Sequence, residues 1–151
     1  MQSDDVSKIA SIAAEAAFQT YRRPLIVEDT GLSISALNGF PGSFGSYVYR
    51  TVGLAGVLRL LEGKEDRSAQ FTSAVAFCDG SEEPRVFVGV LKGEIADRPK
   101  GREGFGFDPI FVPLEYGNTL AEMSIEEKCA ISHRSLALRL FASWVGVRST
   151  G

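Results

Sequence analysis

Residues 104–111 (GFGFDPIF) place two phenylalanines, two glycines and one carboxylate within five positions, directly before an apolar run. Glycines at alternating places let the backbone turn tightly and approach a flat ligand. Phe105 and Phe107 offer faces on which a base can stack, and Asp108 is an acceptor suited to the edge of a ring that carries N–H groups. The competing reading is a turn into a strand, with both aromatics in the core. Two further stretches have chemistry of their own. Residues 27–32 (VEDTGL) carry adjacent carboxylates, Glu28 and Asp29, after a short apolar run. Residues 124–134 gather Ser124, Lys128, Cys129, Ser132, His133 and Arg134. His133 and Arg134 fall in the first turn of an expected helix, where cationic side chains beside free N–H groups make a reader of anions or carbonyl oxygens.

These groups need elements to hold them. Ser3 is expected to cap a first helix, with Asp4 and Asp5 at its positive end. Val6, Ile9, Ala10, Ala13 and Ala17 recur at helical spacing to about Thr20, and Arg22-Arg23-Pro24 ends the run. Leu25, Ile26 and Val27 predict a short strand, with Glu28 and Asp29 at its C-terminal end, where ligand sites tend to lie; the competing reading is a solvated turn at Asp29-Thr30-Gly31. Neighbouring residues in a strand point to opposite faces, so the two carboxylates are expected to have different jobs. A second strand follows through Leu32, Ile34 and Ala36.

Residues 46–62 read as helix, broken near Gly53. Residues 69–78 and 85–91 form a hairpin whose second strand, extended by residues 93–96, is apolar on both faces through Val86, Val88 and Val90. That sheet is expected to be covered on both sides or to enter an oligomer interface. A strand near Ile110, a capping box at Ser124 and an N-cap at Ser132 complete the series. The last helix spans about a dozen residues with a core stripe of Leu136, Leu140, Phe141 and Trp144. Together the elements predict a single α/β domain over residues 1–151 with a mixed sheet and flanking helices.

A chain of 151 residues, 44% hydrophobic and 23% charged, has the composition of one globular domain. Net charge of −3 argues against a broad nucleic-acid footprint, so an anionic ligand needs a local basic pocket. Cys78 and Cys129 lie far apart and, with one histidine, do not suggest zinc. They read as reduced thiols of a cytoplasmic protein, and no stretch suggests a membrane span. The glycine-rich loop 38–45 lacks the Gly-Lys-Ser/Thr of a P-loop. From the residues alone, the sharpest reading is a metal hydrolase using Glu28 and Asp29.

The stretches also occur in a recognisable order. Residues 27–32, 39–42 with 46–50, 67–71 (RSAQF), 104–111, 121–124 (AEMS), 126–128 and 132–134 resemble the inosine triphosphate pyrophosphatase family, also called Ham1-like or XTP/dITP diphosphatases. The resemblance implies a long curved mixed sheet, two lobes around a nucleotide cleft and a homodimer. It implies Mg²⁺-dependent hydrolysis of non-standard purine triphosphates (ITP, dITP, XTP) to the monophosphate and pyrophosphate. By the same resemblance, Asp29 binds the metal and positions or deprotonates the attacking water, with Glu28 beside it. Phe105 and Phe107 line the base pocket and Asp108 accepts from ring N–H groups. Lys128, Ser132, His133 and Arg134 bind the base carbonyl and the nucleotide. Cys129 stands where the family often has Asn, and Ser135 where it often has Gly. Against the family pattern the chain is expected to lack the N-terminal Ser/Thr-x-Asn-x-x-Lys segment, the first strands and an acidic metal ligand. Two expectations follow: an active pyrophosphatase, or an impaired homologue that keeps the base pocket or dimerisation.

Overall fold

A computed structural model of the chain describes residues 5–150. Five strands form one sheet in the order β2-β1-β3-β4-β5, comprising β1 (Leu25–Ile34), β2 (Pro41–Gly42), β3 (Ser68–Cys78), β4 (Arg85–Ile95) and β5 (Phe111–Pro113). The helices are α1 (Val6–Tyr21), α2 (Gly45–Thr51), α3 (Gly53–Leu60), α4 (Ile125–Ile131) and α5 (His133–Thr150). The expected caps Ser3 and Asp4 lie outside the described residues. Asp5 caps α1, its carboxylate accepting from the N–H groups of Ser7 and Lys8.

The expected mixed sheet is corrected among the described residues, where all four pairings are antiparallel. Short reversals join β1 to β2 and β3 to β4, and such links allow only antiparallel pairing. The expected break at Asp29-Thr30-Gly31 is also corrected. β1 runs unbroken because every one of its residues is paired with β3, from Leu25 opposite Cys78 to Ile34 opposite Ala69. Glu28 and Asp29 therefore sit mid-strand. Gly31 is there for clearance: a Cβ would lie 2.9 Å from the Gly42 carbonyl oxygen and 3.0 Å from Val6 Cγ1.

Strand alternation then sorts the faces. Val27 packs under α1 with Ala10, Ala14, Ala74, Ala76 and Cys78, so Asp29 and Gly31 belong to that face. Glu28, Thr30 and Leu32 turn to the other face, over which α5 lies. The approach of α5 to β4 is close: a Cβ on Gly89 would stand 2.1 Å from the His133 carbonyl oxygen. The far half of α5 is held to the hairpin by Trp144, with the Arg85 and Arg148 guanidiniums 5.0 and 4.9 Å from its ring. Arg148 also pairs with Asp79 at 3.1 Å. The larger core joins Leu32, Ile34, Phe71, Ile95, Phe111 and Leu120 to α2 and α3, which part at Gly53 where φ is +66°.

Several of the recognised motifs are architectural. Arg67 donates to the carbonyl oxygens of Ile95 at 2.8 Å and Ala96 at 2.9 Å, clasping the start of β3 to the end of β4. The buried Thr119 hydroxyl donates to the Lys100 carbonyl at 2.7 Å, and Ala121 accepts from the N–H groups of Arg102 and Glu103. These bonds fix the loop that delivers residues 104–108 to the α5 side of the sheet.

Candidate active site

The turn at residues 104–108 folds around its own carboxylate. Gly104 and Gly106 take φ of +74° and +60°. At Gly104 a Cβ would lie 2.2 Å from Asp108 Oδ2, so only glycine fits. That same oxygen accepts from the Phe105 N–H at 3.0 Å and forms an ion pair with Lys128 Nζ. Asp108 is buried, so its charge is held by a partner cation rather than by water. The two aromatics separate: Phe107 is 6% exposed and meets Tyr49 edge-on at 5.8 Å, whereas Phe105 is 65% exposed. Phe107 thus belongs to the core as well as to the cleft wall, and Phe105 is the open platform.

Two cations converge on that platform. Lys128 Nζ lies 4.4 Å from the centroid of the Phe105 ring and Arg134 Cζ 5.4 Å. Arg134 Nε donates to Glu28 Oε1 at 2.8 Å, and the Thr30 hydroxyl donates to the same oxygen at 2.7 Å. Ser132 caps α5, its hydroxyl accepting from the Ser135 N–H at 3.1 Å and meeting the Ser135 hydroxyl at 2.9 Å. His133 stacks on Phe71 with centroids 4.6 Å apart and rings 11° from parallel. Its Nδ1 is buried without a hydrogen-bond partner. Burial, followed by the charge of Arg134, pulls the His133 pKa down to about 4, so the ring is neutral near pH 7.

The side chains surround a cleft of about 580 Å³. Its wall includes Thr30, Leu32, Phe105, Phe107, Asp108, Lys128, Ser132, His133 and Arg134. It also includes Tyr49, Phe71, Ile125 and Cys129, to which sequence reasoning assigned no role. Alternation along β3 would point Phe71 to this face, but only the register with β1 places it under His133. Glu28 and Asp29 do not line the cleft. Glu28 stands behind Arg134, and Asp29 is on the α1 face of the same strand.

Asp29 is a different kind of group. Its Oδ2 is buried with no partner. Burial raises its pKa, the Thr30 backbone N–H opposes that shift, and the charge of Glu28 adds to it. Among the described residues, no three His, Cys, Asp or Glu side chains gather into a metal site. Mg²⁺ nevertheless suits a lone carboxylate, because it usually keeps several waters and shares one or two carboxylates with substrate phosphates. An orphaned carboxylate oxygen fits such a shared ion.

The antiparallel sheet with helices on both faces, and the cationic, aromatic cleft at its side, define an α/β protein with a small-molecule pocket. Its family can be named. The model of the Ham1 family matches residues 1–144, and the chain belongs to that family. It is 49% identical over 144 residues to the dITP/XTP pyrophosphatase of Methanopyrus kandleri, spanning 95% of this chain and 77% of the relative. To the dITP/XTP pyrophosphatase of Pyrobaculum aerophilum it is 50% identical over 149 residues, spanning 99% and 79%. Among solved structures, a HAM1 protein from Coxiella burnetii superposes with a TM-score of 0.90 at 35% identity, covering 96% of this chain and 78% of that one. The Staphylococcus aureus Ham1 protein gives 0.87 at 34% identity, covering 92% and 75%.

Proposed function

We propose that the chain is a nucleoside triphosphate pyrophosphatase for non-standard purine nucleotides. It cleaves ITP, dITP and XTP between the α and β phosphoryl groups, giving the monophosphate and pyrophosphate. One observation supports the reading above the others: a single cleft combines an exposed aromatic platform, two cations over it and a neutral buried histidine. The platform stacks a purine, and base–aromatic stacking is worth about 1–3 kcal/mol. A 6-oxo purine offers an acceptor to donors such as Arg134 and Lys128. Adenine turns an amino group toward the same donors and leaves them unpaired, which is how polar sites achieve large discrimination. Asp108 and Lys128 hold the turn in shape, and Ser132 fixes the start of α5 so that His133 and Arg134 face the base.

In this reading Asp29 is the reacting carboxylate. Asp29 would be among the ligands of Mg²⁺, which would neutralise phosphate charge when bound with the substrate. Asp29 also orients the attacking water and takes its proton. β1 is an edge on its outer side over residues 25–31 among the described residues, with β2 pairing only at Leu32 and Ser33. A nucleotide whose base fills the cleft brings its phosphates toward Asp29, between two lobes. A homodimer is part of the proposal, supported by the half-exposed Val88 and Val90 on the α1 side of β4. No described helix is long and apolar enough to cross a membrane. The free thiols of Cys78 and Cys129 favour the cytoplasm.

The test is pyrophosphate release from ITP, dITP, XTP and ATP with and without Mg²⁺. The expected result is Mg²⁺-dependent release from the three 6-oxo substrates, with kcat/KM at least about a hundredfold above ATP. Equal rates with ATP, or release of orthophosphate in place of pyrophosphate, would overturn the reading.

A further inference from the structure

Glu28 is a carboxylate beside another carboxylate, but its bonds lead elsewhere. Its Oε1 accepts from the Thr30 hydroxyl and from Arg134 Nε, across 106 positions of sequence. Arg134 is the second residue of α5. A cation there meets the positive end of the helix dipole. It also shares the face of one ring, Phe105, with the Lys128 ammonium. Two like charges converging on one platform repel each other unless each has a counter-charge. Asp108 supplies it for Lys128, and Glu28 supplies it for Arg134. Without Glu28 the guanidinium would swing away from the helix end toward water.

We infer that Glu28 is a positioning residue for base recognition, acting through Arg134, with Thr30 as its partner in that task. The inference rests on the pyrophosphatase reading above and separates the two carboxylates of the motif. Asp29 works on the phosphate side of β1. Glu28 works on the base side, holding Nε of Arg134 so that the remaining N–H groups of the guanidinium stay turned to the cleft. Thr30 fixes the rotamer of Glu28 and so the direction from which Nε is held.

Two measurements test it. In steady-state hydrolysis, Glu28→Ala is expected to raise KM for ITP about tenfold with kcat changed less than about twofold. Glu28→Gln, which keeps an acceptor, should recover part of that loss, and Thr30→Val should reproduce a smaller version of it. In an Arg134→Ala background, Glu28→Ala should add nothing. A fall in kcat at unchanged KM would overturn the inference, because it would return Glu28 to the reacting centre. The second measurement needs no substrate. Labelling of Arg134 by phenylglyoxal, followed by peptide mass spectrometry, should run several-fold faster in Glu28→Ala and Thr30→Val than in the unmodified chain. Equal labelling rates would overturn the inference. If the unmodified chain releases no pyrophosphate from ITP while labelling still accelerates, the pyrophosphatase reading falls and the positioning of Arg134 by Glu28 stands.

Discussion

Asp29 and His133 are ionisable groups that burial pushes toward their neutral forms, from opposite directions. For His133 this has a thermodynamic consequence. Its folded pKa of about 4 lies below the ordinary value of 6.5, so the unfolded chain binds its proton first as pH falls. The part of the stability linked to His133 is full above about pH 6.5 and is lost progressively as pH falls through 4, by up to about 3 kcal/mol. Urea denaturation at pH 7.5, 5.5 and 4 should show that decline, and His133→Gln should flatten its His-dependent part. For Asp29 the consequence is kinetic. Asp29→Asn should lower kcat for ITP by about 10²- to 10⁴-fold, as expected for a reacting carboxylate. It should leave the melting temperature equal or higher, because the buried Oδ2 has no partner to lose. An unchanged kcat would exclude Asp29 from the chemistry. The sequence carried the identities of most cleft residues, because Phe105, Lys128, His133 and Arg134 lie in short recognisable runs. It did not carry their pairing. That Asp108 is already bonded to Lys128, and Glu28 to Arg134, depends on contacts 20 and 106 positions apart.

The helix that begins with His133 and Arg134 lies almost against the backbone of β4. Gly89 makes this possible, since a Cβ there would also stand 2.7 Å from the Ala137 N. These neighbours are backbone atoms and cannot rotate away. Gly89→Ala should therefore cost about 1–3 kcal/mol, the usual range for overpacking. Because the displaced segment carries His133 and Arg134, KM for ITP should rise in the fraction that folds. Thermal melts and steady-state kinetics of the same preparation check both effects. Elements with strong local signals were readable in advance. The α2–α3 break at Gly53, the β3–β4 hairpin and the caps at Ser124 and Ser132 all rest on local backbone chemistry. The errors arose where tertiary pairing overrode local preference. Asp29-Thr30-Gly31 is good turn chemistry, yet ten consecutive pairs with β3 hold it extended. The last helix runs for 18 residues in place of a dozen, carried on past its expected end. Leu140, placed in the core stripe by spacing, is 51% exposed. Ala137, outside the expected stripe, is fully buried.

At the level of the whole molecule, β4 is the strand whose two faces are unequally covered. Its α5 face, through Phe87, Gly89 and Leu91, is closed by the helix and the core. On its other face Val86 lies beneath α1, but Val88 and Val90 emerge beyond that helix and are 39% and 38% exposed. Valine at alternate positions of a strand is a pattern for a buried face. Two valines alone fall far short of the roughly 800 Å² per partner that a stable interface buries, so the neighbouring polar surface must take part. The base-cleft residues, by contrast, lie on the α5 side of the sheet. If the proposed dimer forms through the α1 side of β4, base recognition on the α5 side is separable from assembly, while Asp29 on the α1 face of β1 stays within its own chain. Val88→Lys with Val90→Lys should shift the chain from dimer to monomer in sedimentation velocity, since two pairs of like charges would meet across the interface. The melting temperature should change little, because both side chains are already partly in water. Per-chain ITP hydrolysis should persist within a fewfold. A dimer that survives the double substitution would move the interface elsewhere, and a monomer that has lost activity would mean that the partner completes the site.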